Sequence, residues 1–262
     1  MITSSSNRQI KNILLLQKKG KARREQGLFV VEGRKMFAEV PREWLSAVYV
    51  SEDFLTQPMA EQLLGDVPYE VVSQGVFQSI SDTQTPQGIL CVVKQPSYEF
   101  SELLMGEKTH LLILESIQDP GNLGTMLRTG EGAGITGIIV NQTTADLFQP
   151  KTVRATMGSI YRVPYYVSDD LTETVRKLKR EGVHVYAAHL KGKMQYDEPD
   201  YTAGTAFMIG NEGAGLSDEL SALADDYIRI PMEGKVESLN AAVSAALLMY
   251  ETNRQRRRSR EE

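Results

Sequence analysis

Three short segments from residue 119 onward decide the fold of the chain: Asp119-Pro120-Gly121-Asn122-Leu123-Gly124, Ile-Gly-Asn-Glu-Gly-Ala-Gly-Leu-Ser at 209–217, and Ile-Arg-Ile-Pro-Met at 228–232 together with Glu-Ser-Leu-Asn at 237–240. Each begins at the end of an apolar run and continues into Gly, Asn or Pro, which is typical of a strand that ends in a site-forming loop. Amphipathic helices alternate with these runs. The alternation predicts an α/β domain with a parallel sheet and helices on both faces.

The second half of the chain is predicted to alternate between the two element types throughout. Strands are expected at 111–114, 137–140, 162–167, 184–188, 206–209 and 227–230. Helices are expected at 123–131, 171–181, 217–224 and 238–253.

The first part of the chain predicts a smaller α/β unit. Strands are expected at 28–31, 47–50, 69–72 and 88–93, and helices at 7–19, 33–44, 52–64 and 76–77. A stretch with Pro and two Ser then breaks the pattern and is predicted to be a linker. We therefore expect an N-terminal domain at 1–94, a linker at 95–108 and a C-terminal domain at 109–262.

The net charge of −5 hides two basic clusters. No acidic residue precedes Glu25, and apolar residues on helical spacing lie among the charges, which predicts a basic helix with a phosphate-contacting surface. Its candidate residues for binding a polyanion are Arg8, Lys11, Lys18, Lys19, Arg23 and Arg24. A second cluster comprises Arg254, Arg256, Arg257, Arg258 and Arg260. For this tail, phosphate binding and a merely solvated end both remain open.

Several classes of protein are excluded by residue usage. The lone Cys91 lies in an apolar run, so neither an internal disulfide nor a thiolate-rich zinc site is expected. The three histidines have no metal-ligand spacing, and we expect no metal. His189 closes a predicted strand, and for it a structural role is favoured over a place at the site. No apolar run has the length of a membrane span or a signal peptide, so we expect a cytoplasmic protein without a membrane partner.

A glycine pattern at 132–137 fits the G-x-G-x-x-G fingerprint of nicotinamide-dependent oxidoreductases. That fingerprint must follow a strand and open a helix. Here it follows a predicted helix and precedes a predicted strand. The pattern therefore indicates a glycine-rich helix exit, and it argues against a dehydrogenase.

Together, the three segments resemble the SpoU (TrmH-like) family of RNA ribose 2′-O-methyltransferases, whose three motifs they match in the family order. The stretch at 25–33 resembles the N-terminal substrate-binding domain of the rRNA-modifying branch. The resemblance implies a C-terminal SPOUT domain threaded into a trefoil knot, S-adenosylmethionine as cofactor, and a homodimer. It also implies RNA as substrate, with 23S-type rRNA favoured by the extra domain.

The resemblance carries over to individual residues. It implies catalytic roles for Asn122, Arg128, Glu212, Ser238 and Asn240. It implies cofactor-binding roles for Gly210, Asn211, Ile230, Met232 and Leu239. The family assigns its matching arginine to activation of the ribose hydroxyl, but arginine stays protonated in proteins. For Arg128, a base role and stabilisation of an alkoxide or phosphate therefore remain open.

Two alternatives remain beside a ribosomal RNA methyltransferase. One is a tRNA ribose 2′-O-methyltransferase, and the other is a non-catalytic RNA-binding factor in ribosome assembly. The intact set of candidate catalytic residues argues against the second. We also expect Ser238 to cap the last helix, and Gly210→Val to block the cofactor while leaving the fold intact.

Overall fold

The computed structural model describes residues 1–259, in which helices and strands alternate as the apolar runs predict. The helices are α1 (Arg8–Lys18), α2 (Gly20–Gln26), α3 (Arg34–Glu39), α4 (Glu52–Leu55), α5 (Ala60–Leu64), α6 (Gln74–Ile80), α7 (Pro120–Ala133), α8 (Pro150–Thr156), α9 (Leu171–Arg180), α10 (Asp218–Ser221) and α11 (Ala241–Arg258). The strands are β1 (Leu28–Glu32), β2 (Leu45–Ser51), β3 (Glu70–Val72), β4 (Ile89–Lys94), β5 (His110–Leu114), β6 (Gly137–Asn141), β7 (Tyr165–Ser168), β8 (His184–Ala188), β9 (Met194–Gln195), β10 (Thr205–Ile209) and β11 (Asp226–Arg229).

The chain divides into two units that are not contiguous in sequence. The first combines Met1–Pro96 with Asp146–Tyr161, and the second combines Ser97–Ala145 with the residues from Arg162 onward. The predicted domains at 1–94 and 109–262 are each continuous in sequence, whereas the first unit also includes the later segment Asp146–Tyr161.

The first unit is built on a four-stranded sheet with the order β1-β4-β2-β3. Strand β4 is antiparallel to both β1 and β2, whereas β3 is parallel to β2. Helix α1 turns Ile10, Ile13 and Leu16 toward this sheet, and all three are fully buried. The spacing of three residues places them on one helix face and leaves Lys11, the basic residue between them, exposed.

The segment Asp146–Tyr161 is joined to the first unit by buried contacts. The Arg23 guanidinium is 4% exposed, and its Nη2 donates to Asp146 Oδ2 at 2.6 Å. Its Nη1 donates to the carbonyl oxygens of Leu16 at 2.5 Å and Gln17 at 3.0 Å. The prediction that Arg23 contacts RNA is therefore corrected: its donors are used inside the protein, and no surface remains for a phosphate.

The second unit contains a seven-stranded sheet with the order β7-β6-β5-β10-β8-β11-β9, and every neighbouring pair is parallel. Strands β5 and β10 are fully or almost fully buried along their length. This arrangement confirms the predicted parallel sheet. Because the strands run in one direction, the loops at their carboxyl ends lie along one edge of the sheet.

Three departures from the sequence-based element boundaries have local causes. The stretch at 95–108 contains two 3₁₀ turns, Phe100–Leu103 and Gly106–Lys108, and Leu103 is fully buried in the core of the second unit. The predicted helix at 52–64 is interrupted between α4 and α5 around Pro58. Helix α11 begins at Ala241 because Asn240, not Ser238, is its N-cap.

The glycine pattern at 132–137 is a helix exit, as predicted. Helix α7 ends at Ala133, and Gly134 follows in the left-handed conformation with φ of 78°. Strand β6 then begins at Gly137. The geometry is thus the reverse of a dinucleotide-binding turn.

The C-terminal arginines that the structure describes are partly structural. Arg254 pairs with the buried Glu251. Arg256 donates to the carbonyl oxygens of Lys108, Thr109, Tyr201 and Ala203. Arg260 lies outside the described residues. Within residues 1–259, no helix has the length and hydropathy needed to cross a bilayer.

Removing the Asp146 carboxylate is expected to destabilise the protein. Asp146→Ala leaves the Arg23 guanidinium buried without its anion, and breaking a buried pair costs about 3 kcal/mol or more. Urea unfolding of the full chain measures this loss as a lower free energy of unfolding. Arg24→Ala, an exposed neighbour, is the control and should change that free energy by less than about 0.5 kcal/mol. Equal stability of Asp146→Ala and the parent would show that the pair contributes nothing.

Candidate active site

A cavity of about 470 Å³ lies in the second unit, where the loops after β8, β10 and β11 meet the start of α11. Its volume is within the range of small-molecule sites, about 300–1,000 Å³. Apolar side chains from three elements, Leu216, Ile228 and Leu248, form part of its wall. All five predicted cofactor-binding residues line it: Gly210, Asn211, Ile230, Met232 and Leu239. Of the predicted catalytic residues, Glu212 and Ser238 line it as well.

A hydrogen-bonded network beside the cavity joins all three sequence segments. Asn122 Nδ2 donates to Glu212 Oε1 at 3.0 Å, and Asn240 Nδ2 donates to Asn122 Oδ1 at 3.0 Å. Asn122 belongs to the first segment, Glu212 to the second and Asn240 to the third. The structure therefore brings together three residues separated by up to 118 positions in sequence.

Helix capping fixes the direction of this network. Asn240 Oδ1 accepts from the amides of Ala242 at 2.9 Å and Val243 at 3.3 Å, as the N-cap of α11. Its carboxamide nitrogen must therefore face Asn122 and donate. Asn122 in turn accepts through its oxygen, which leaves its own nitrogen to donate to Glu212. A cap at the start of α11 thus sets the orientation of both carboxamides.

Glu212 is held as a carboxylate by its donors. Partial burial raises the pKa of Glu212, but hydrogen bonds from the Gln118 amide, the Asn122 carboxamide and the Asp119 amide outweigh it and hold the pKa below its ordinary value. The two backbone donors lie 3.0 Å and 3.1 Å from the carboxylate oxygens. Gln118 and Asp119 immediately precede α7, so Glu212 anchors the start of that helix.

The loop after β10 is shaped by Asn211 and two glycines. Asn211 Oδ1 accepts from the amides of Gly213 and Ala214, both at 2.9 Å, while Asn211 Nδ2 donates to the Ser116 carbonyl at 2.8 Å. Gly215 has a φ of 73°, which favours glycine. A Cβ at Gly210 would lie 2.1 Å from the backbone of Gly215 and Leu216.

The contact at Gly210 corrects the expectation that Gly210→Val blocks the cofactor and spares the fold. A side chain at this position collides with the protein's own backbone rather than with a ligand. The substitution would therefore deform the loop itself. A bulky residue at Ile230, a half-buried loop position that lines the cavity, is the better way to obstruct it.

Arg128 and Ser238 are placed differently from the network. Ser238 is exposed, and its hydroxyl makes no hydrogen bond with any residue in 1–259; it is not the helix cap that the sequence predicted. Arg128 is exposed on α7 and makes no hydrogen bond or ion pair with the described residues. Six positions separate it from Asn122, so the two project about 120° apart around the helix axis. Arg128 does not line the cavity of its own chain.

Several residues that shape the site were missed by sequence reasoning. Glu115 accepts from the amide of Ser217 at 2.8 Å and from its hydroxyl at 2.7 Å. His189, which the sequence suggested was structural, lines the cavity, with Nδ1 accepting from the Lys191 amide at 3.0 Å. Their position directly after strands β5 and β8 is the one signal that points to them. No group of three or more His, Cys, Asp or Glu side chains within residues 1–259 could hold a metal ion.

Comparison with known proteins agrees with this geometry. The profile of the SpoU rRNA Methylase family matches residues 109–250, which include the whole cavity and network. The chain belongs to this family. A second profile, the MRM3-like substrate binding domain, matches residues 7–91. The recognition made from the three segments is thereby confirmed.

Individual relatives in the SpoU family match almost the whole chain. The 23S rRNA (guanosine(2553)-2′-O)-methyltransferase RlmP of Bacillus subtilis is 33% identical over 252 residues, covering 95% of this chain and 97% of the relative. The AdoMet-bound rRNA methyltransferase of Sinorhizobium meliloti has a TM-score of 0.86 at 31% identity, covering 97% of each chain. The AviRb methyltransferase of Streptomyces viridochromogenes, in complex with AdoMet, has a TM-score of 0.85 at 26% identity, covering 96% of this chain and 100% of that one.

This SpoU-family protein is an RNA methyltransferase, and its cofactor is S-adenosylmethionine. The cofactor supplies a methyl group activated on a sulfonium, and it also carries an ammonium and a carboxylate. The cavity fits such a group: carboxylates of Glu212, Asp218 and Glu237 line it together with Lys191 and Arg229. The apolar wall suits the uncharged adenine.

Removing the Glu212 side chain is expected to lower methyl transfer. Glu212→Ala frees the Asn122 carboxamide and two backbone amides, and hydrogen bonds to a charged group contribute about 1.5–3 kcal/mol each. A loss of only 1.4 kcal/mol at the transition state reduces the rate about tenfold. We therefore expect a rate at least about tenfold lower with saturating S-adenosylmethionine, measured by transfer of labelled methyl to RNA.

Two further variants control this experiment. Glu212→Gln keeps one acceptor oxygen and should have an intermediate rate. Glu219→Ala removes an exposed carboxylate on α10, outside the network, and should behave as the parent. A folded Glu212→Ala protein with the parent's rate would show that the network has no role in the reaction.

Proposed function

We propose that this protein transfers a methyl group from S-adenosylmethionine to a ribose 2′-oxygen of 23S-type ribosomal RNA. The observation that carries the proposal is the Glu212–Asn122–Asn240 network at the edge of the cavity, in which one residue of each family segment takes part. The similarity to RlmP supports the substrate, because it extends over both units of the chain.

The reaction requires removal of one proton and precise alignment of the reacting atoms. A ribose hydroxyl is a weak nucleophile until its proton is removed, and methyl transfer needs its oxygen in line with the donor. We propose that Asn122, Glu212, Ser238 and Asn240 position the ribose. The Ser238 hydroxyl supports this role because it has no hydrogen bond to the described residues. Glu212 has a lowered pKa and thus remains an acceptor at neutral pH.

We propose that Gly210, Asn211, Ile230, Met232 and Leu239 hold the cofactor, mainly through the backbone of their loops. All five line one cavity, which supports this assignment. We further propose that the C-terminal part of the chain forms the trefoil knot of the family. Helix α11 follows the cavity loops in sequence and packs against α7, which precedes them. This packing supports the knot.

The working unit is proposed to be a homodimer in which Arg128 serves the cofactor site of the partner chain. Arg128 is exposed, unpaired within residues 1–259, and absent from the cavity of its own chain. Helix α11, which packs against α7, exposes the apolar side chains of Val243 by 48% and Tyr250 by 49%. These two lie seven residues apart and hence on one helix face, which suits a partner helix.

A proposed cytoplasmic location follows from ribosomal RNA as substrate. The remaining basic residues of the N-terminal prediction, Arg8, Lys11, Lys18, Lys19 and Arg24, are exposed and are proposed to contact RNA.

The substrate is tested by mapping ribose methylations in RNA from cells with and without the gene. We expect one 2′-O-methylation of 23S rRNA to disappear, and the nucleotide that corresponds to the guanosine of RlmP is the first to inspect. Purified protein with S-adenosylmethionine should restore it on the unmodified rRNA. Loss of a methylation in tRNA alone would favour the tRNA enzyme, and loss of none would favour a non-catalytic factor.

The cross-subunit role of Arg128 is tested by mixing two inactive chains. Arg128→Ala should leave S-adenosylmethionine binding and dimerisation intact while removing most methyl transfer. Ile230→Trp should obstruct the cofactor cavity. A heterodimer of these two chains, purified through different tags, contains one site with both halves intact and should recover up to half of the parent's activity.

The matched controls are the two homodimers, which should both be inactive. A site contained within one chain predicts no recovery, because every chain carries a lesion. An inactive heterodimer of verified composition would therefore contradict the assignment of Arg128 to the partner's site.

A further inference from the structure

A groove of about 700 Å³ lies in the first unit between α1 and strand β2. It shares no residue with the cofactor cavity. The residues on which its chemistry depends are Arg8, Lys11, Asn12, Leu15, Gln26 and Tyr49.

The charge of this α1 groove suits a phosphate backbone. None of the residues that line it is acidic. Arg8 and Lys11 are both exposed, make no ion pair within residues 1–259, and lie three positions apart on one helix face. Outside the groove lining, Glu70 lies opposite Tyr49 in the register of β2 and β3.

The wall of the groove presents an apolar side chain and a tyrosine hydroxyl that has no partner in the protein. Leu15 is 44% exposed, whereas Ile13 and Leu16 on the same helix are fully buried. Tyr49 is 3% exposed as a whole residue, and its hydroxyl makes no hydrogen bond with any described residue. The hydroxyl oxygen is not among the fully buried polar atoms, so it is available to donate to or accept from a ligand in the groove.

Two side-chain amides in the groove are hydrogen-bonded to each other. Asn12 Nδ2 donates to Gln26 Oε1 at 3.0 Å, and Gln26 Nε2 donates to Asn12 Oδ1 at 3.0 Å. Each amide therefore keeps one N–H and one acceptor lone pair for a ligand. Such donor and acceptor pairs match the Watson–Crick edge of a nucleobase.

We propose that the α1 groove binds an unpaired nucleotide of the substrate RNA. Arg8 and Lys11 contact its phosphates, Leu15 packs against the base, and Asn12, Gln26 and Tyr49 hydrogen-bond the base edge. An unpaired nucleotide is favoured over a duplex because the base edges and faces of a double helix are already engaged in pairing and stacking. The inference rests on the proposed function, since it concerns how that RNA is recognised.

The test compares binding of ten-nucleotide homopolymeric RNAs and of a twenty-base-pair RNA duplex to the full chain by fluorescence anisotropy. Tyr49→Phe removes one hydroxyl and little else. It should weaken binding of the preferred single strand between about twofold and tenfold, the effect of one hydrogen bond. Binding of the duplex and the thermal unfolding temperature should be unchanged.

The charged residues of the groove are tested by the salt dependence of binding. Arg8→Gln with Lys11→Gln should reduce the slope of log affinity against log salt by about 1.4 for single strands, since each phosphate contact contributes about 0.7. Lys21→Gln, an exposed residue of α2 outside the groove, is the matched control and should leave the slope unchanged. Replacing Lys18, Lys19 and Arg24 by Gln should instead lower the slope for single strand and duplex alike.

Parent-like binding of single strands by Tyr49→Phe, or an equal loss for the duplex, would overturn the inference. Methylation mapping on 23S rRNA separates this outcome from failure of the proposed function. If the parent methylates the ribose but Tyr49→Phe binds every RNA normally, only the groove assignment is wrong. If the parent methylates no ribose, the proposed function fails, and the binding data still decide what the groove accepts.

Discussion

The position of Asn122 between Glu212 and Asn240 is the contact on which the candidate site depends. Each of its two carboxamide atoms joins one other segment, so the loops after β5 and β10 and the start of α11 are held against one another. The orientation of the amide is not free, because the N-cap of α11 sets Asn240 and Asn240 sets Asn122. A helix cap worth about 1 kcal/mol thus also determines the direction of the polar groups beside the cavity.

Parallel strands make this arrangement possible. Since β5, β8, β10 and β11 run in the same direction, their carboxyl ends bring loops from distant sequence positions to one edge. The loop after β10 then has to turn tightly on itself, and Gly210 admits the backbone of Gly215 and Leu216 where no side chain fits. Glycine at position 210 is therefore required by the fold of the loop itself, independently of any ligand.

The sequence predicted most of the second unit because its strands are short apolar runs between turn residues, as at 111–114 and 206–209. Seven of the candidate site residues that it singled out line the cavity, but His189, which also lines it, was not among them. It could not assign Arg23, because a basic residue on a helix looks the same whether its partner is a phosphate or Asp146, which lies 123 positions away. It assigned the helix cap to Ser238, whereas the cap is Asn240; both residue types cap well, and only the backbone decides between them.

The basic residues of this acidic chain divide into two groups by what their donors contact. Arg23 and Arg256 donate to carbonyl or carboxylate oxygens of the protein, a task suited to the five N–H groups of a guanidinium. Arg8, Lys11, Lys18, Lys19 and Arg24 are exposed on α1, at its C-cap and on α2, and they have no anionic partner within residues 1–259. The potential at a phosphate is set by charges within about 8 Å at physiological salt. A net charge of −5 over the chain is therefore compatible with an RNA-binding surface, because no acidic residue precedes Glu25 in the segment that carries these cations.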